Sequence, residues 1–266
     1  MVGEDSLEFI GTATTLLRLG RFTVLTDPNF LHRGQRAYLG KGLWSRRLTE
    51  PSCQPGDLPP LDLVVLSHLH GDHFDRVARA GLSRESPVVT TPQAARRLSR
   101  WGFATLGLDR WEEHRLDGDG ESLTIQALPA VHARGVLGAL LPPVMGSLLE
   151  HRRDGRVRRV YLSGDTLTGA HLAAIRERHP DIDVAVVHLG GTRVLFSTVT
   201  MDAPMGVEFL QVVDPTVAVP VHYDDYGVFK SPLADFLQEA DAAGEGGRVR
   251  PVRRGERISL DPDHSA

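Results

Sequence analysis

Leu61-Asp62-Leu63-Val64-Val65-Leu66-Ser67-His68-Leu69-His70-Gly71-Asp72-His73-Phe74-Asp75 is the stretch on which the reading of this chain turns. Its first six residues form an apolar, β-branched run, the pattern of a buried strand. The positions that follow pack four metal-capable side chains into the order His-x-His-x-Asp-His. Side chains alternate in an extended segment, so His68 and His70 point to one side and can reach a single ion. Gly71 lets the chain turn sharply, and Asp72 and His73 then diverge towards a second ion. Neutral imidazole and carboxylate suit zinc, and also manganese or iron. The spacing therefore predicts a binuclear site at the end of a strand.

Working outward, three further segments end an apolar run on a metal-capable residue: Leu128-Pro129-Ala130-Val131-His132, Val160-Tyr161-Leu162-Ser163-Gly164-Asp165-Thr166 and Val217-Ala218-Val219-Pro220-Val221-His222. Functional side chains on loops at strand ends are the usual arrangement in α/β proteins.

The ordered set His68, His70, Asp72, His73, His132, Asp165 and His222 resembles that of the metallo-β-lactamase fold superfamily. Phe9-Ile10-Gly11-Thr12-Ala13-Thr14, Leu25-Thr26-Asp27-Pro28, Thr200-Met201-Asp202-Ala203 and Pro220-Val221-His222-Tyr223-Asp224 are similar to a particular branch of it. That branch holds ascorbate-6-phosphate lactonase-like and N-acyl-phosphatidylethanolamine phospholipase D-like hydrolases. The likeness runs from about residue 7 to about residue 260, with one departure at Thr12, where many relatives carry His or Gln. The resemblance implies an α/β fold, a four-layer αββα sandwich with the site at one edge between two sheets. It also implies a ligand set. His68, His70 and His132 would hold one ion, Asp72, His73 and His222 the other, and Asp165 would bridge them. The expected chemistry is hydrolysis of a phosphodiester, lactone or amide by a metal-bridging hydroxide, with Asp72 orienting the nucleophile or relaying its proton.

Composition fits one enzyme domain spanning residues 1–266. The chain is 41% hydrophobic and 24% charged, enough for one sizeable core. Ligands spread from His68 to His222 must meet at one place, which also favours a single domain. A net charge of −4 argues against a nucleic-acid partner. The expected partner is a small-molecule substrate with phosphate and apolar parts. No apolar stretch approaches the length of a membrane span. The acidic start, without signal-peptide character, and the lone Cys53 lead to a cytoplasmic expectation. Cys53 reads as a bystander.

Leu7 to Ile10, Thr15 to Leu19 and Phe22 to Thr26 read as antiparallel strands, and Asn29 to Pro60 as a long irregular excursion. Thr91 and Pro92 start a helix, Ala170 to His179 form another, Asp202 heads a third, and Ser231-Pro232-Leu233 opens the last.

Several residues carry two readings. His188 ends a buried strand and is either a general acid that protonates the leaving group or a supporting, packing histidine. Asp27 is either a partner that fixes a ligand imidazole or a turn residue before Pro28. Asp224 is a candidate support beside His222, whereas Tyr223 and Asp225 read as structural. The basic run Arg33, Arg36, Lys41, Arg46 and Arg47 is either a holder of phosphate or a membrane surface, or a solvated face. The apolar 134–146 segment is either a lid or acyl-lining loop, or a loop buried on the core. Surface or capping roles are expected for His32, His114, His151, His171, His179 and His264.

Competing functions are a tRNA 3′-processing-type nuclease and an iron-dependent redox enzyme on the same scaffold. The first lacks a basic RNA-binding arm here. The second remains compatible with the ligand set, but no flavin module is appended.

Overall fold

The computed structural model describes residues 4–194 and 197–261; His264 lies outside them. The strands are β1 Ser6–Gly11, β2 Thr14–Leu19, β3 Phe22–Thr26, β4 Arg36–Gly40, β5 Leu43–Arg46, β6 Leu63–Val65, β7 Val88–Thr90, β8 Thr105–Gly107 and β9 Glu113–Gly118. They continue as β10 Glu121–Pro129, β11 Met145–Arg153, β12 Arg156–Leu162, β13 Val184–His188, β14 Arg193–Val194, β15 Ser197–Thr198, β16 Val217–Val221 and β17 Arg257–Ser259. The α-helices are α1 Arg76–Gly81, α2 Pro92–Ser99, α3 Gly135–Leu140, α4 Ala170–Arg178, α5 Ala203–Val213 and α6 Leu233–Ala242.

Two mixed sheets stack face to face. One runs β17-β1-β2-β3-β6-β7-β8 and the other β16-β13-β12-β11-β10-β9. Each contains a parallel portion, β3-β6-β7-β8 and β12-β13-β16, whose crossovers carry helices to the outer faces. Strand alternation distributes the apolar runs. In β6, Leu63 and Val65 face the other sheet while Val64 packs outward among Leu98 and Phe103. In β13, Val184 and Val186 point inward while Ala185 and Val187 pack on the α4, α5 and α6 side with Leu172, Phe209 and Phe236. Both faces of these strands are buried, which is why they read as continuous apolar runs. The result is the four-layer αββα sandwich of the metallo-β-lactamase fold.

Local chemistry sets the helix starts. Thr91 caps α2 through Ala94 N with Pro92 in the first turn, and Asp202 caps α5 through Met205 N at 3.2 Å. The excursion from Asn29 to Pro60 proves partly regular. It contains the β4–β5 hairpin, in which Tyr38 pairs with Trp44 across the strands at a ring separation of 4.9 Å. The strand β11 also escapes the sequence pattern, because Glu150, Arg152 and Arg153 interrupt its apolar alternation.

Candidate metal centre

Every proposed ligand or supporting residue of the cluster lies at or just beyond the end of a strand, on one edge of the sandwich. Asp27 follows β3, His68 to His73 follow β6, and His132 follows β10. Asp165 follows β12, His188 closes β13 and His222 follows β16. All are buried.

His68, His70 and His132 bring their ring nitrogens to one point. His68 Nε2 lies 2.9 Å and His132 Nε2 3.4 Å from His70 Nδ1. His132 Nδ1 donates to Val199 O at 2.9 Å, which leaves its Nε2 as the bare nitrogen of a neutral ring. Burial holds all three imidazoles below their ordinary range, with His70 down to about 4; at His68 the charges of His73, His70 and His132 act in the same direction as burial. Neutral, converging imidazoles are the form in which histidine binds a cation.

Asp72, His73 and His222 form a second convergence beside the first, and Asp165 touches both. Asp165 Oδ2 lies 3.2 Å from His73 Nε2 and 4.0 Å from His68 Nε2, and Asp72 Oδ2 lies 3.4 Å from His222 Nε2. His222 Nδ1 donates to Leu189 O at 3.0 Å. Burial works against charge here too, yet the carboxylates win at both histidines. Asp165, with Asp27 and Asp72, lifts His73 well above the usual histidine range, and Asp165 and Asp72 lift His222. Against the opposing pull of burial, His222 and His73 hold Asp165 well below the usual carboxylate range, and the same two histidines lower Asp72.

The donor set fits divalent ions on an observation independent of its composition. Asp72 Oδ1, His73 Nε2, Asp165 Oδ1 and His222 Nε2 are buried and make no well-aligned hydrogen bond, although the two ring nitrogens each approach a carboxylate. A buried polar atom left unsatisfied costs ~1–3 kcal/mol, and four such atoms in one cluster fit a common partner. A divalent cation would supply it.

Asp27 and Ser67 support the cluster from behind. Asp27 accepts from Ser67 N at 2.7 Å and Ser67 Oγ at 2.9 Å. Its Oδ2 also meets His73 Nδ1 at 3.1 Å and His188 Nε2 at 3.2 Å. Burial is overcome by His73 and His188, which bring the Asp27 carboxyl down to about 2. Ser67 Oγ lies 3.0 Å from His68 Nδ1. Asp27 therefore sits where the partner of a ligand imidazole belongs. His188 Nε2 meets Asp27, and Nδ1 lies 3.1 Å from Ser163 Oγ. Both ring nitrogens are taken, so its geometry matches support of Asp27.

A second network, invisible locally in the sequence, fixes these loops. Arg47 is fully buried, with Nη2 3.2 Å from Asp225 Oδ1 and Nη1 bonded to the Asn29 side chain. Asp225 accepts from Thr12 N at 2.8 Å, Thr12 O accepts from His222 N at 2.7 Å, and Asn29 Nδ2 donates to Gly71 O at 2.9 Å. Thr12, Asp27 and His222 all have left-handed backbones, with φ of 56°, 35° and 63°. Such non-glycine conformations cost ~1–3 kcal/mol each and cluster at functional sites. Arg47 is thus no phosphate ligand, because Asp225 neutralises it inside the protein. Asp224 pairs with Arg254 rather than with the site. Asp75 caps α1 through Val77 N and Ala78 N and also accepts from Phe30 N and Leu31 N. Gly71 is required by contact: a Cβ there would lie 2.6 Å from Tyr38 O, so the β4–β5 hairpin rests directly on the ligand loop.

A groove of about 970 Å³ opens beside His70 between that hairpin, α1 and α2. Leu140, Leu141 and Pro142 of the 134–146 segment form part of its wall.

The fold and the convergent donors define a metal-dependent hydrolase of the metallo-β-lactamase fold. Residues 23–223 match the family model described as a beta-lactamase superfamily domain, and the chain belongs to that family. A UPF0173 metal-dependent hydrolase of Methanosphaerula palustris is 30% identical over 200 residues, covering 73% of this chain and 83% of that protein. The uncharacterized protein Rv0906 of Mycobacterium tuberculosis is 26% identical over 249 residues, covering 90% of this chain, which spans 64% of that protein's length. Among solved structures, an isothiocyanate hydrolase from Delia radicum gut bacteria superposes with a TM-score of 0.82 at 20% identity, covering 97% of this chain and 100% of that one. No helix among the described residues is long and apolar enough to cross a membrane.

Proposed function

We propose that residues 1–266 form one catalytic domain and that it is a binuclear hydrolase of small-molecule phosphodiesters, lactones or amides. The observation that carries this reading is the set of buried, unpartnered donor atoms on Asp72, His73, Asp165 and His222 beside the three converging nitrogens of His68, His70 and His132. The first group of three histidines would hold one ion, Asp72, His73 and His222 the other, and Asp165 would bridge them. Zinc suits this donor set first, and manganese or iron is also compatible. Divalent ions held there supply water activation and neutralisation of charge on the attacked group. The chain's own residues do the rest. Asp165 ties the two donor groups together, and Asp72, while holding the second ion, would orient the attacking water or relay its proton. Asp27 and Ser67 fix the His73 and His68 rings, and His188 holds Asp27 in place.

The test is hydrolysis of bis(p-nitrophenyl) phosphate, a γ-lactone and an anilide by zinc-loaded protein. Turnover of at least one of them, lost with a chelator and restored by zinc, supports the reading. A fully metal-loaded protein inert towards all three, yet active in an oxygen-consumption assay with iron, would replace it with the redox alternative.

A further inference from the structure

Six cationic side chains line the groove beside His70, and they come from separate elements. Arg36 and Lys41 belong to the β4–β5 hairpin, Arg76 to α1, and Arg96, Arg97 and Arg100 to α2 and its end. None of the six pairs with a carboxylate among the described residues. Elsewhere the chain pairs its arginines freely, as with Arg159 and Glu150 or Arg176 and Asp214. Among the described residues the only carboxylate lining the groove is Asp75, which is buried and occupied by four backbone N–H groups. A helix C-terminus favours cations, which accounts for Arg96, Arg97 and Arg100 but not for Arg36, Lys41 and Arg76 across the groove. On a chain of net charge −4 this is a local concentration of unneutralised positive charge.

Two more observations point to a ligand. His70 is 9% exposed, and its Nε2 has no hydrogen-bond partner and faces Gly40 of the groove wall, where a Cβ would lie 3.5 Å away. Tyr38, Trp44 and Leu140 also line the groove, and they are among the few large apolar side chains left exposed, at 44%, 58% and 53%. Cations beside unpartnered apolar surface match a ligand with both an anionic and an apolar part.

We infer that this groove receives the substrate and selects one that carries a phosphate joined to an apolar or aromatic portion, an inference that rests on the hydrolase reading of the metal cluster. Guanidinium forks match phosphate oxygens in pairs, and the apolar wall receives the remainder of the molecule. The phosphate is either the group that reacts or a handle beside it.

The experiment is calorimetric titration of the zinc-loaded protein with 4-phenylbutyl phosphate and with 4-phenylbutanol, its uncharged counterpart. The phosphate should bind at least about tenfold more tightly, and the advantage should shrink as salt is raised. Two double variants at exposed positions, Arg96→Gln with Arg100→Gln and Arg36→Gln with Lys41→Gln, should each weaken phosphate binding by about tenfold with metal content unchanged. Equal affinities for phosphate and alcohol would overturn the inference. So would phosphate affinity unaltered in both double variants, which would mean that the metals alone hold it. Release of nitrophenol from 4-phenylbutyl p-nitrophenyl phosphate would make the phosphate the reacting group, and tight binding without release would make it a handle; both agree with the inference. Tight, arginine-dependent binding with no turnover of any ester would sustain the groove and remove the hydrolase reading. Lactone hydrolysis without phosphate binding would do the reverse.

Discussion

The two ends of the sandwich each bury histidines among carboxylates, with opposite bookkeeping of hydrogen bonds. At the ligand edge, where Met145 N meets Ser67 O at 3.1 Å, donor atoms converge with no protein partner. Further along β11, His151 is also buried, but its Nε2 lies 2.9 Å from Glu121 and its Nδ1 3.8 Å from Asp5. Arg158 approaches Asp5 at 3.7 Å, and Gly20 N donates to it at 2.8 Å. The same residue types therefore build two different objects. Composition does not mark a metal centre; unpartnered convergence does. The His151 cluster is complete within the protein and should act on stability alone, whereas the ligand cluster is complete only with cations and should act on function.

The largest effect that separates them is expected at Asp165. Asp165→Ala should lower hydrolysis on the order of 1000-fold while circular dichroism shows the fold retained. Substantial turnover by this variant would refute the bridging assignment.

Asp225→Ala should behave in the opposite way to a ligand variant. Removing one partner of the buried Arg47 pair should cost about 3–5 kcal/mol in urea unfolding. Activity would fall only as far as the Thr12 and His222 loops loosen. A stability change under 1 kcal/mol would show that Arg47 finds another partner or water.

Asp27 tests how far support reaches. Asp27→Asn should reduce metal affinity or activity by about 10–100-fold, the usual range for the partner of a ligand imidazole. His188→Gln should cost less and leave the acid limb of the pH–rate profile in place. Disappearance of that limb would return His188 to the general-acid role.

The smallest effect belongs to His151. Although burial opposes it, Asp5 and Glu121 raise the His151 pKa above its ordinary 6.5. A raised histidine stabilises fully below that unfolded value, and the contribution is lost as pH rises through the folded value. Asp5 and Glu121 are lowered, so their contribution is present above the ordinary carboxylate range and lost as pH falls. His151→Gln should therefore cost on the order of 1 kcal/mol near pH 6 and less near pH 9. Equal costs at the two pH values would mean that the ring is neutral in the folded chain. Activity at saturating metal should not change.

Much of the ligand edge was legible in sequence because each ligand follows an apolar run that can only be a buried strand. His68, His132, Asp165 and His222 all announce themselves in this way, and the caps at Thr91 and Asp202 are local signals too. What escaped depends on partners distant in the chain. Arg47 reads as one more charge in a basic run, and only Asp225, 178 positions away, makes it a buried residue. His151 reads as a surface residue because charged neighbours surround it in β11. The β4–β5 hairpin has no apolar alternation to show and depends on the Tyr38 and Trp44 pair and on its seat at Gly71. The groove cations belong to a hairpin and two helices, so no window of sequence contains them together.

The most direct test of the central claim is an equilibrium zinc titration of chelator-stripped protein, with bound metal counted per chain by mass spectrometry. Two equivalents are expected for the native chain and no more than about one for Asp165→Ala, with His151→Gln unchanged. A native chain that saturates at one equivalent or none, or an Asp165→Ala protein that still takes up two, would contradict that claim.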